Sequence, residues 1–181
     1  MSRIAPVDLN TANESLRKVF EGVERQLGVL PNMVRTMAQS RSALDGYLWL
    51  SAALKRGVLP RTLQEQIALV VAEANECDYC LSAHTALGRA DGLTDHQMTV
   101  SRYGFADDWK VAAALRFAQS VVRQRGAVSN QELAEVREAG FSESEIAEII
   151  GNVALNVLTN YFNRAAETDI DFPRVTAGQL T

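Results

Sequence analysis

Capping boxes, a hydroxyl residue three positions ahead of a carboxylate or carboxamide, mark helix starts at Thr11 to Glu14, Thr94 to Gln97, Ser129 to Glu132 and Ser142 to Glu145. In such a capping box the hydroxyl accepts from a free N–H in a helix's first turn. The longer side chain reaches back to the cap's own N–H. Glycines stand where the helices would end, at Gly28, Gly57 and Gly126, and glycine enters the left-handed region without a steric penalty. Between these marks apolar residues recur at helical spacing, as at Leu44, Leu48 and Leu54, and no convincing strand is seen. A chain punctuated this way folds as packed helices.

The marks divide the chain into successive elements. A helix is expected over 11–27, and a short one near 33–38 after the break at Leu30, Pro31 and Asn32. Another runs from Ser40 to Gly57. Pro60 and Thr62 open a strongly apolar helix to about Ala74, Asn75 interrupts it, and the next segment runs to about Arg89. Asp91-Gly92 is a turn. Asp107 or Asp108 caps a helix to about Arg125, and the last long helix spans about 143–167 before Pro173. The expectation is an all-α helical bundle of about seven to nine helices with no sheet, forming one domain over 1–181.

Composition excludes several classes. Hydrophobic residues make up 47%, enough for a core, and the net charge of −4 is spread with mixed signs. That argues against a nucleic-acid or anionic-membrane surface, which needs clustered Lys and Arg. The first residues carry no apolar run of a signal peptide, and the stretch from Ile67 to Ala72 is too short to span a bilayer. The expected location is cytoplasmic.

The two cysteines, Cys77 and Cys80, are three residues apart. A bridge between them would close almost no loop and add little stability. In a reducing compartment such a pair reads as redox-active or metal-binding. If a helix begins near Asn75, Cys77, Cys80 and His84 share one face. Free amides of that first turn favour a thiolate, and an imidazole can take its proton. Glu76 and Asp78 act in the opposite sense. Glu65 reaches this group only if the chain reverses near Asn75. In an antiparallel helix pair it lies level with His84, one turn beyond Cys80. The order Glu65, His84, Cys80, Cys77 is then a carboxylate orienting an imidazole beside a thiol, with a second thiol beyond.

Other readings stand beside this one. The cysteines can be small buried residues. Zinc wants four ligands, or three plus water, and two thiols with His84 make three. Thr62 to Glu65 also reads as a capping box, with Glu65 bonding the Thr62 backbone. Asn156, Asn160 and Asn163 share one helix face; such stripes usually meet solvent, and on this apolar helix the alternative is that they line an interface or site. His96 reads as an exposed first-turn residue.

Glu65, eleven intervening residues, Cys77-x-x-Cys80 and then x-x-x-His84 resembles the signature of the AhpD-like alkylhydroperoxidase and carboxymuconolactone decarboxylase superfamily. Leu30-Pro31-Asn32 and Leu59-Pro60-Arg61 resemble segments of its peroxidase-related members. So do the run from Ala154 to Asn163 and Ile170 to Pro173, which puts the likeness at about 28–174. The resemblance implies an AhpD-like helical bundle assembled as a homo-oligomer, a trimer or hexamer. It implies reduction of an organic hydroperoxide with no metal and no flavin. Cys80 would be the peroxidatic thiol and Cys77 the resolving one. Glu65 and His84 would relay protons, and a dithiol protein or small thiol would act as reductant. Alternatives are a thiol–disulfide oxidoreductase, a redox sensor without turnover, and a carboxymuconolactone decarboxylase-like enzyme.

Overall fold

The computed structural model describes residues 2–179, and among them there are nine helices and no strand. In chain order these are α1 (Glu14–Leu27), α2 (Asn32–Met37), α3 (Arg41–Lys55), α4 (Arg61–Ala74), α5 (Asp78–Ala90), α6 (Asp95–Ser101), α7 (Trp109–Arg123), α8 (Asn130–Glu138) and α9 (Glu143–Ala166). Three of the four expected capping boxes form, at Thr94, Ser129 and Ser142. The fourth does not. Asn13 caps α1 by accepting from Leu16 N–H, while the Thr11 hydroxyl donates to the Asp8 carbonyl. Asparagine is as good a cap as threonine or better, and here it starts the helix two residues later. Gly28 ends α1 in the left-handed region at φ 74°.

The centre of the molecule is α4. Ten successive residues, 63–72, are buried, so this helix is enclosed on every side rather than amphipathic. It packs against α5, α6, α7 and α9. On one side Ile67, Val70 and Val71 join an apolar cluster with α7, α8 and α9, including Leu115, Phe117 and Ile149. On the other, Leu69 and Ala72 join Phe20, Met37, Leu44 and Leu81. Both cysteines belong to this second cluster.

Enclosure obliges every polar group of α4 to find a partner. Gln64 Nε2 donates to the carbonyls of Leu54 and Leu59, and Gln66 Nε2 donates to Ser101 Oγ. At the start of α4, Glu148 of α9 accepts from the N–H groups of Val58 and Leu59, holding the α3–α4 loop. At its end Glu73 accepts from Arg102 Nε at 2.8 Å and from Gly178 N–H.

The C-terminal tail is tied across the start of α5. Val175 N–H donates to Ser82 Oγ, Ala177 N–H to Asp78, and Arg102 Nη2 to the Thr176 carbonyl. Arg102 is only 2% exposed, so its ion pair with Glu73 is shielded from water. Removing one member of such a pair strands the other charge. Arg102→Ala is therefore expected to lower stability by roughly 3–5 kcal/mol, measured by urea unfolding. A loss below about 1 kcal/mol, the scale of an exposed pair, would show that the tail clamp does not depend on this contact.

Candidate functional site

The chain reverses between α4 and α5 within three residues. Asn75 ends α4, Glu76 turns left-handed at φ 51°, and Cys77 N–H returns to the Ala72 carbonyl at 2.9 Å. That bond closes a Schellman turn with glutamate in the place usually held by glycine. The reversal lays α5 antiparallel on α4 and sets position 84 beside position 65. His84 Nδ1 lies 2.7 Å from Glu65 Oε2. An ionised carboxylate only accepts, so Nδ1–H is the donor and Nε2 is left to exchange a proton. Glu65 is 6% exposed and His84 22%.

Glu65 does not close a capping box with Thr62. Pro60 precedes α4 without a side-chain cap bond, so Thr62 is already inside the helix and no box forms there. Glu65 sits one turn in, aimed at α5. Arg61, on the same face, donates to Glu65 at 3.4 Å and to Asp91 at 3.3 Å.

Cys77 and Cys80 form a disulfide with Cα atoms 5.3 Å apart. The expected start of helix at Asn75 is corrected, because Cys77 is the N-cap of α5, with extended backbone, and its sulfur accepts from Cys80 N–H at 3.3 Å. The first-turn amide thus serves Cys77 rather than Cys80. The Asp78 carboxylate accepts from Arg174 and from the Ala177 amide.

Both cysteines are buried, but their surroundings differ. Cys80 lines a cavity of about 100 Å³, and Cys77 is absent from its wall. The wall is built mainly from α3, α4, α5 and α9, closed by Phe172 of the tail. Glu65 and His84 share this wall, which otherwise includes apolar side chains such as Leu27, Leu54, Leu87 and Leu155. Tyr79 is anchored there, its hydroxyl accepting from Met33 N–H and its ring meeting Phe172 edge-on. Burial pushes the Tyr79 phenol above the ordinary tyrosine range.

Several wall residues were not among the expected site residues. Tyr47 of α3 has its phenol pushed up to about 12 by burial, reinforced by the charge of Glu65. It is a neutral O–H donor at physiological pH. Burial and the like charge of Arg61 hold the Lys55 ammonium below the usual lysine range. No motif marks either residue in the sequence. The asparagine stripe of α9 turns inward rather than to solvent, the second of its two readings: Asn156, Asn160 and Asn163 are buried, together with Asn152. Three of the four line the cavity, and Asn163 Nδ2 donates to Cys80 Sγ at 3.5 Å. His96 is exposed as expected, with its side chain 67% accessible. Among the described residues no group of three or more His, Cys, Asp or Glu side chains is arranged to hold a metal ion.

Residues 38–120 match the model of the carboxymuconolactone decarboxylase family. Over 96 residues, 52% of its length, the chain is 30% identical to an alkyl hydroperoxide reductase of Mycobacterium tuberculosis. The match takes in 28% of that protein, so this chain spans well under half of the curated relative it resembles. Among solved structures, an AhpD-core peroxidase-related protein from Ralstonia eutropha JMP134 superposes with a TM-score of 0.86 at 24% identity, covering 94% of this chain and 92% of that one. A peroxidase-related protein from Silicibacter sp. TM1040 gives 0.79 at 24% identity over 98% and 96%. The debrominase Bmp8, solved with 2,3,4-tribromopyrrole, gives 0.81 at 23% identity over 93% and 91%. The chain thus has the AhpD-like all-helical fold, and its segment 38–120, which holds Glu65, both cysteines and His84, matches the carboxymuconolactone decarboxylase family.

Proposed function

We propose that the protein is a thiol-dependent hydroperoxide reductase. The observation that carries this reading is the placing of one sulfur of a disulfide, Cys80, on the wall of a largely apolar cavity that also holds the Glu65–His84 pair. The curated mycobacterial relative, named an alkyl hydroperoxide reductase, supports the same assignment.

The cycle follows from the positions of the groups. In the dithiol form, His84 Nε2 takes the Cys80 proton, and Glu65 steadies the imidazolium through Nδ1–H. The Cys80 thiolate attacks the terminal oxygen of R–O–O–H, and the O–O bond breaks. The leaving alkoxide takes a proton from His84 and departs as the alcohol. Cys80 is then a sulfenic acid. The Cys77 thiolate attacks its sulfur, hydroxide leaves as water, and the disulfide seen here is formed. An external dithiol, protein or small molecule, restores both thiols by exchange. Hydroperoxide and dithiol become alcohol, water and external disulfide, with no metal or flavin required. The N-cap position suits Cys77 to leave as thiolate during that exchange, because helix N-terminal amides favour negative sulfur.

We also propose that the chain works as a homo-oligomer. Ala147, Ile150, Ala154, Leu158, Tyr161 and Ala165 of α9 are all exposed. Their spacing of three and four makes one continuous apolar stripe, and such a stripe needs cover.

Two experiments test these readings. With cumene hydroperoxide and excess dithiol, Cys80→Ser is expected to abolish turnover. Cys77→Ser should keep a single oxidation of Cys80, and Glu65→Gln should lower kcat/KM by roughly 100-fold. Retained turnover in Cys80→Ser, or reduction of 2,3,4-tribromopyrrole or a disulfide in preference to peroxide, would replace the peroxidase reading. For assembly, Leu158→Glu should reduce the mass measured by analytical ultracentrifugation. An unchanged mass would place the interface elsewhere, and a monomeric parent chain would remove the oligomer from the account.

A further inference from the structure

Four asparagines on one face of α9 are buried: Asn152, Asn156, Asn160 and Asn163. Two direct their amides along their own helix, Asn152 to the Glu148 carbonyl and Asn156 to the Asn152 carbonyl. Asn160 accepts from Asn75 Nδ2 across the α4–α5 turn. Asn163 breaks the pattern. Its Nδ2 leaves the helix and donates to Cys80 Sγ at 3.5 Å, while its Oδ1 is buried without a partner. A buried acceptor left unpaired is unfavourable, and a disulfide sulfur is only a weak acceptor. The contact therefore brings little stability to the oxidised protein.

Its value changes when the disulfide opens. The same N–H meeting a thiolate becomes a charge-assisted hydrogen bond, about twice as strong as a neutral one. A donor fixed by burial before the charge appears needs no reorganisation when it does. No other donor to Cys80 Sγ is present among the described residues, since the amide of Cys80 itself goes to Cys77. The titratable groups around this cavity are Tyr47 and Lys55 from α3, Arg61 and Glu65 from α4, and Tyr79 and His84 from α5. The face of α9 presents carboxamides and the Thr159 hydroxyl, and no ionisable group.

We propose that Asn163 is a further catalytic residue, whose side-chain amide stabilises Cys80 as a thiolate. It complements His84, which moves the proton, by holding the charge left behind. The proposal rests on Cys80 as the reacting thiol and deepens the reductase reading.

The test uses the full chain carrying Cys77→Ser, in which Cys80 is the single thiol. The rate of alkylation by iodoacetamide is followed from mildly acidic to alkaline pH. Adding Asn163→Leu, with the same branched skeleton but no donor, should move the thiol's apparent pKa up by about one unit. Alkylation on the acidic side should then slow about tenfold. An unshifted profile in a folded variant overturns the proposal. Should Asn163→Leu fail to fold, the Asn163 side-chain amide protons are followed by NMR in the ¹⁵N-labelled Cys77→Ser chain. A downfield shift that tracks the Cys80 titration supports the contact, and resonances that stay still refute it. Neither readout involves peroxide. A shifted profile in a protein that consumes no hydroperoxide would therefore sink the reductase reading alone. Normal peroxide turnover with an unshifted profile would sink only the role of Asn163.

Discussion

The bond between Glu65 and His84 organises this molecule. Glu65 lies within ten successive buried residues of α4, where an unpartnered carboxylate would be costly. It is satisfied from α5 at 2.7 Å and from Arg61 at 3.4 Å. That pairing requires α5 to run back along α4, and hence the reversal at 75–77. Once the reversal is set, the position of Cys77 at the head of α5 and of Cys80 one turn before His84 follows from helical geometry. Fold and site thus rest on the same turn: the bond that satisfies a buried carboxylate in the core helix also orients the imidazole.

The two cysteines receive different electrostatic support from that arrangement. Cys77 lies at the helix N-terminus and accepts a backbone amide, away from the cavity. Cys80 faces the cavity and takes its contact from α9, an element far away in sequence. In the proposed cycle this suits one sulfur to leave and the other to meet the hydroperoxide. Spacing alone assigns neither role, because two cysteines three apart look equivalent until the turn that precedes them is known.

Much of the fold was legible because its signals are local. Caps, glycine stops and apolar spacing each report on a few neighbouring residues, and all nine helices lie close to where these signals put them. The misplacement at Thr11 has the same origin: two adequate caps stood two residues apart, and Asn13 prevailed. In the site, the antiparallel register of Glu65 and His84 could be worked out from the break at Asn75. What could not be read was tertiary. A stripe of Asn156, Asn160 and Asn163 looks the same in sequence whether it meets water or a sulfur atom from another helix. Tyr47 and Lys55 join the wall through α3 packing, which no periodicity encodes.

The central claim is that these two sulfurs act together on a hydroperoxide. The most direct measurement is a thiol count on the fully reduced protein before and after one equivalent of cumene hydroperoxide, with no reductant present. The account predicts rapid loss of both thiols, one equivalent of the corresponding alcohol, and a protein two hydrogens lighter by mass spectrometry. Two thiols remaining, with the peroxide intact, would contradict it.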